Sequence, residues 1–307
     1  MNRIDDYLHG QGVSRELIDA VGEFRNQYDV DRSVAERIAD PSMPFYGKDT
    51  LEMAISAILQ GENLLLSGGK ATGKNVLCET LSWIFGRPAY DISFHVNTDS
   101  ASLIGTDTFR DNEVKLRKGP VYSCAEFGGF GILDEINMAK NDAVSVLHAT
   151  LDHRRRIDVP GYSRIMLHPA TRFIATMNQG YAGTRELNEA LVSRFLVVDM
   201  PSLDMQTLSF LLKKYFPDMK ETAVEQFAGL FMDLQRKASN GEISTKPLDL
   251  RGMIAGLRTV RSGLAPASAI RLGMLNKSFD PFEKEILEDA AATRIPMSWG
   301  REDVFEA

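Results

Sequence analysis

The run Gly68-Gly69-Lys70-Ala71-Thr72-Gly73-Lys74-Asn75 has the residue types and spacing to hold phosphate. Gly68 and the pair Gly73-Lys74 match Gly-x4-Gly-Lys-[Ser/Thr], with Asn75 in the hydroxyl position. Glycines let consecutive backbone N–H groups turn inward around phosphate oxygens. A lysine reaches the terminal phosphates, and a helix that starts there presents its positive dipole end. Contacts to a phosphate-bearing cofactor are therefore expected from Gly68, Gly69, Lys70, Ala71, Thr72, Gly73, Lys74, Asn75 and Val76.

A second group of residues has the chemistry to act on that phosphate. The run Phe130-Gly131-Ile132-Leu133-Asp134-Glu135 reads as an apolar strand ending in two acids. At the carboxyl end of a strand beside the loop, Asp134 can hold a magnesium ion through its water shell. Glu135 is then placed to polarise an attacking water as general base. Asn178 closes the run Phe173-Ile174-Ala175-Thr176-Met177 and suits positioning of water or contact with a terminal phosphate. Arg194 ends the run Glu186–Phe195, and arginine keeps its charge and forks onto phosphate oxygens. Arg185 is a weaker second candidate, and Arg251, after Pro247-Leu248-Asp249-Leu250, could reach a nucleotide from a separate helix.

These side chains need a scaffold that brings strand ends together. Strand-like runs at Asn63–Ser67, Ala89–Ser93, Phe130–Leu133, Phe173–Met177 and Leu196–Met200 alternate with helical ones. Val76, Leu77, Leu81 and Ile84 give Asn75–Phe85 a helical spacing directly after the loop. Such alternation implies a parallel sheet wrapped by helices, an α/β domain over residues 41–201. Residues 1–40 read as a helical N-terminal extension, with an amphipathic stretch at Arg15–Phe24. Pro41, Pro44 and Gly47 break the chain, and Leu51–Leu59 forms a short apolar helix before the first strand. From Ser202 onward strand signals vanish. Leu203–Tyr215, Glu221–Ala238, Leu248–Arg261, Ala267–Asn276 and Phe282–Thr293 predict a smaller all-helical domain over 202–307.

Composition bounds the partners. The 307 residues are 44% hydrophobic and 25% charged, with a net charge of −7, which suits a globular protein of about two domains. That acidic balance argues against bulk nucleic-acid or membrane binding. The two cysteines, Cys78 and Cys124, lie far apart and no Cys/His spacing suggests a metal site, so a reducing, cytoplasmic compartment is expected. The first ten residues lack an apolar stretch behind a basic region, and no run is long enough to span a membrane.

Taken in order, the phosphate loop, ILDEIN at 132–137, ATMNQG at 175–180 and ELNEALVSRF at 186–195 resemble the AAA+ ATPases of the MoxR and midasin/dynein-related branch. The resemblance covers Phe45 to Thr293. It implies a P-loop sheet flanked by helices followed by a helical lid, with ATP and Mg2+ bound between subunits of a ring, a hexamer in the expected form. Arg194 would then act on a neighbour's nucleotide, and Arg251 on the lid would sense the phosphate. It also implies that Pro44, Phe45 and Tyr46 lie near the adenine. Two insertions, Ser102–Pro120 and Arg154–Met166 with Pro160-Gly161 at its turn, look like hairpins that face a pore or a substrate. They carry Lys115, Arg117, Lys118, Arg154, Arg155 and Arg156.

MoxR-like ATPases commonly work with a separate von Willebrand factor A protein. This chain lacks its Asp-x-Ser-x-Ser pattern, since Asp91-Ile92-Ser93 is followed by Phe94-His95. The implied function is ATP-driven remodelling, assembly or activation of a client protein. An ATP-gated assembly switch with little turnover and a nucleic-acid-stimulated motor stand as alternatives. Two departures bear on the choice. Asn75 replaces the usual magnesium-ligating hydroxyl, and its amide oxygen is a hard donor able to do the same task. Ala71 stands where relatives often have glycine, which is tolerable if its backbone φ is negative. Neither removes Lys74, Asp134 or Glu135, so hydrolysis is expected to survive.

Overall fold

The computed structural model describes residues 3–110, 112–159, 161–178 and 186–306. The chain divides into two compact units, residues 1–69 with 73–201 and residues 202–307 with 70–72. Each has its own core.

The first unit is built on β1 (Leu64–Gly68), β2 (Ala89–Ser93), β5 (Phe130–Asp134), β8 (Arg172–Asn178) and β9 (Leu196–Asp199), which form a parallel sheet in the order β2-β5-β8-β1-β9. Two antiparallel pairs lie outside it, β3 (Gly105–Arg110) with β4 (Glu113–Lys118) and β6 (Arg156–Ile157) with β7 (Ile165–Met166). The two expected hairpins are therefore present, with Pro160 outside the described residues. The central strands are buried along their length, as in Leu64–Gly68, because helices cover both faces. Their near-continuous apolar sequence is the consequence of that burial. Strand β1 begins one residue later than the apolar run predicts, because Asn63 is used as a clamp. Its amide donates to Leu151 O at 3.0 Å and its Oδ1 accepts from Phe173 N at 2.9 Å.

Helices Lys48–Leu59, Lys74–Phe85 and Pro120–Phe127 run back along the sheet and end on the side where the strands start. Arginines, Arg87 and Arg172 buried and Arg25 half-buried, receive those ends. Arg25 Nη1 donates to Trp83 O and Ile84 O at 3.1 and 2.9 Å, Arg87 Nε to Gly128 O at 2.7 Å, and Arg172 Nε to Ile58 O at 2.9 Å. Cationic donors on terminal carbonyls complement the helix dipoles. Burial lowers the pKa of all three, that of Arg172 to about 10.

The N-terminal helices Arg3–Gly10 and Arg15–Gln27 join this same core. Ile4, Leu8, Ile18, Val21 and Phe24 are buried with Leu77, Leu81 and Phe85 of the helix that follows the phosphate loop.

The second unit packs Met205–Tyr215, Glu221–Ser239, Leu250–Arg261, Pro266–Gly273 and Pro281–Arg294 around Leu208, Leu212, Phe227, Phe231, Met253, Leu257 and Leu287. The fourth of these helices stops at Gly273, before the predicted Asn276, and a short 3-10 turn follows at Leu275–Lys277. It stops where two backbones meet: a Cβ on Gly252 would lie 2.0 Å from Gly273 O, and one on Gly256 would lie 2.7 Å from Ala269 O. Among the described residues, no helix is long and apolar enough to cross a membrane.

Candidate functional site

Strand β1 lies between β8 and β9, and Gly68 pairs in register with Asn178 at their carboxyl ends. This end of an open parallel sheet is where ligands bind. Gly73 follows in the left-handed region at φ 85° and caps the helix Lys74–Phe85. The loop thus reaches the helix start in the conformation that phosphate-binding loops use. Lys74 is buried, and its ammonium donates to Gly68 O at 3.0 Å and Gly69 O at 2.7 Å. Burial lowers its pKa, and the charges of Asp134 and Glu135 work in the opposite direction.

The expectation for Ala71 is overturned. Its φ is +63°, in the left-handed region that favours glycine. The methyl is carried there at a cost of roughly 1–2 kcal/mol relative to right-handed backbone. Ala71 is partly buried and groups with the apolar core of the second unit.

The two acids sit beside the loop. Asn75 Nδ2 lies 3.2 Å from Asp134 Oδ2, so the amide in the hydroxyl position meets the carboxylate at the end of β5. Which amide atom faces the acid is an assignment, and a turn of the group presents Oδ1 instead. Asp134 Oδ1 accepts from Thr176 Oγ1 at 2.6 Å, and Thr176 Oγ1 accepts from Glu135 N at 3.0 Å. Thr176 is almost fully buried and continues the β5–β8 register one step beyond Leu133↔Ala175. The hydroxyl therefore ties both acids to the neighbouring strand. Glu135 itself is exposed and has φ +55°, a strained conformation for a side chain of its size. Asn178 Nδ2 donates to Glu135 Oε1 at 3.2 Å. Asn137, buried, donates from Nδ2 to Asn178 O at 3.0 Å and holds that strand end in place.

The structure thus brings Gly68, Gly69, Gly73, Lys74, Asn75, Asp134, Glu135 and Asn178 to the carboxyl ends of three adjacent strands and the loop between them. Val76 lies in the first turn of the following helix, partly buried against the core. Lys70, Ala71 and Thr72 group with the second unit, as does Arg251, which is exposed in the first turn of Leu250–Arg261. Arg185 lies outside the described residues.

Arg194 is not with the others. It precedes β9, whose first residue pairs with Leu64 at the start of β1. The length of β1, about 13 Å at 3.3 Å per residue, separates that end from the loop. Its guanidinium donates to His148 O at 3.3 Å and to Ala190 O, and lies 3.8 Å from Asp152 Oδ2. A hydrogen bond from Arg154 holds the Asp152 carboxyl down at about 2.

The basic hairpins are less open than the sequence implies. Arg154 pairs with Asp152, Arg156 with Asp158 at 3.2 Å, Lys115 with Glu113 at 3.3 Å and Lys118 with Glu126 at 2.7 Å. Arg155 is partly buried, donating to Thr171 O at 3.0 Å and His168 O at 3.3 Å.

Thr176 and Asn137 were not singled out from sequence. The signal for Thr176 is its alternation with Asn178 along one strand, and it acquires meaning only from the pairing of that strand with β5. Among the described residues, no group of three His, Cys, Asp or Glu side chains could hold a metal ion by itself. A cation at Asn75 and Asp134 would therefore share its coordination with water and a ligand's phosphates, the usual mode for magnesium.

Comparison with known proteins gives the family of the chain. The family model of the AAA domain (dynein-related subfamily) matches residues 63–195, which contain the loop, both acids, Asn178 and Arg194. The chain is similar to the uncharacterized protein YojN of Bacillus subtilis (strain 168), with 32% identity over 246 residues, 78% of this chain and 80% of that protein. It is also similar to the uncharacterized protein SH1500 of Staphylococcus haemolyticus, with 30% identity over 235 residues, 75% of this chain and 89% of that protein. A loop shaped for phosphates, two acids beside it and a matching family domain over the same strands have one reading: the chain belongs to the AAA+ ATPases, in the dynein-related subfamily.

Proposed function

We propose that this ATPase is a MoxR-type remodelling motor whose catalytic sites are shared between neighbouring subunits of a ring, a hexamer in the simplest form. The observation that carries this reading is the place of Arg194. It lies near the opposite end of β1 from the phosphate loop, which sets it apart from the phosphate-binding residues of its own chain. A residue of that kind serves a neighbour if subunits contact head to tail, and head-to-tail contacts that close generate rings.

In this reading, Gly68 through Val76 bind the phosphates and Lys74 exchanges its bonds to Gly68 O and Gly69 O for phosphate oxygens. Asn75 and Asp134 hold Mg2+, which supplies charge neutralisation on the phosphates. Glu135 takes the proton of the attacking water, and Asn178 orients Glu135 or that water. Arg194 of the adjoining subunit balances charge in the transition state, and Arg251 senses the phosphate from the helical lid formed by 202–307. The helical segment 1–40 stands ahead of the α/β nucleotide-binding domain, 41–201. The client is a protein or complex whose assembly state changes, recruited through a separate von Willebrand factor A polypeptide. Nucleic acid is a weaker candidate, because Lys115, Lys118, Arg154 and Arg156 are paired with acids and Arg155 with backbone carbonyls. Work on such a client takes place in the cytoplasm.

Specific ATPase activity in magnesium is expected to rise with chain concentration as rings form. Full activity at concentrations where the chain sediments as a monomer would overturn the shared site. Asn75 in place of the usual hydroxyl, with Ala71 in place of glycine, also favours a second reading, an ATP-gated assembly switch. Tight ATP binding with nucleotide-dependent assembly and no steady-state turnover would select it.

Thr176→Val tests the arrangement of the acids. It removes two hydrogen bonds to or beside an ionised group while keeping shape. Bonds to charged groups contribute about 1.5–3 kcal/mol, so kcat is expected to fall roughly ten- to hundred-fold. Single-turnover hydrolysis with bound ATP reads this directly, and an unchanged rate would remove Thr176 from the mechanism.

A further inference from the structure

The N-terminal helix Arg3–Gly10 lies outside the matched family domain, yet its side chains lead to the phosphate loop. Tyr7 OH donates to the carbonyl of Phe45, and Gln11 Oε1 accepts from Gly47 N at 3.2 Å. Tyr7 is seated by its neighbours, with ring centroids 5.3 Å from Trp83 and 6.3 Å from Tyr46. From the other side, Phe45 N donates to Thr80 Oγ1 at 2.8 Å, on the helix that the loop opens.

The segment is thus fixed at both backbone groups of Phe45. The consequence falls on its ring, which is buried between two glycines. A Cβ built on Gly73 would lie 3.2 Å from ring atom Cε2, and one on Gly47 would lie 3.0 Å from Cε1. Gly73 is the left-handed residue at which the loop turns into its helix. A ring held in contact with that backbone limits the φ/ψ range open to it, and the loop's N–H groups then keep their direction without a ligand. Preorganised donors bind more tightly because less freedom is lost on binding.

We propose that Tyr7 is a positioning residue for phosphate binding: through Phe45 it fixes Gly73, so that the N-terminal helix sets the nucleotide affinity of the loop. The proposal rests on the phosphate-loop reading, and the wild-type protein serves as its control. Wild-type chain is expected to bind both ATP and inorganic triphosphate in magnesium; failure with both ligands would instead overturn the phosphate-loop reading.

The experiment is Tyr7→Phe in the full chain, with calorimetric Kd values for ATP and for inorganic triphosphate, steady-state kinetics and the thermal midpoint. Loss of one hydrogen bond is expected to weaken both ligands by the same factor, roughly five-fold. KM rises in parallel and kcat stays within about two-fold. Phe45→Leu, which withdraws the ring from Gly73 and leaves Tyr7 intact, is expected to give the same pattern. A loss for ATP with triphosphate unchanged would overturn the proposal, because the segment would then serve the base. A lowered thermal midpoint with both Kd values unchanged would also overturn it, because Tyr7 would then be structural alone.

Discussion

Glu135→Gln is expected to keep ATP binding and to lower turnover by about 10²–10⁴-fold, the usual contribution of a positioned general base. The substitution keeps the side-chain length and the hydrogen bond that Asn178 Nδ2 makes to Oε1 at 3.2 Å. It removes the ability to accept a proton and, with it, the negative charge. The Glu135 backbone has φ +55° and is held by its N–H to Thr176, so the amide side chain starts from the same place. Equilibrium binding of ATP beside steady-state phosphate release separates the two effects. Turnover within a few-fold of wild type would refute the base assignment, and lost binding would mean that the charge of Glu135 supports the ligand.

On the proposed shared site, Arg194→Ala is expected to be at least as severe, because the side chain would act on a neighbour's nucleotide. An arginine supplied in trans contributes roughly 10³–10⁵ in rate in related phosphoryl-transfer systems. Lys74→Ala destroys the loop and leaves Arg194 untouched. Each variant alone should be nearly inactive. Mixed together, they form junctions in which an intact loop meets an intact arginine, and part of the activity returns. Its dependence on mixing ratio should be bell-shaped, with a maximum at comparable amounts. Absence of rescue at every ratio, with mixed assembly verified by sedimentation, would remove Arg194 from the neighbour's site. The contact of Arg194 with Asp152 adds a condition, since the side chain must leave that carboxylate to act.

Much of this site was legible because its parts are local in sequence. The phosphate loop needs a strand, a glycine turn and a helix start, all within a short stretch, and the structure places them so. Asp134 and Asn178 could be read for a similar reason, as polar residues that end apolar strands. Thr176 was not legible, since a threonine inside a strand is ordinary until β5 lies beside it. Ala71 shows the opposite difficulty. Its residue type invited a right-handed backbone, and the loop's geometry imposed φ +63°. The hairpin cations were read as open surface because sequence shows charge without its partner, whereas Arg155 turns inward onto backbone carbonyls. The stop of the helix at Gly273 also depends on tertiary structure, through the close approach of Gly252.

The arginines at the starting side of the sheet carry one more implication. Arg25, Arg87 and Arg172 bind peptide carbonyls at helix ends, and neither donor nor acceptor gains or loses a proton in acid. The anchorage of these helix ends should therefore be indifferent to acid, a contribution to stability that falling pH leaves untouched.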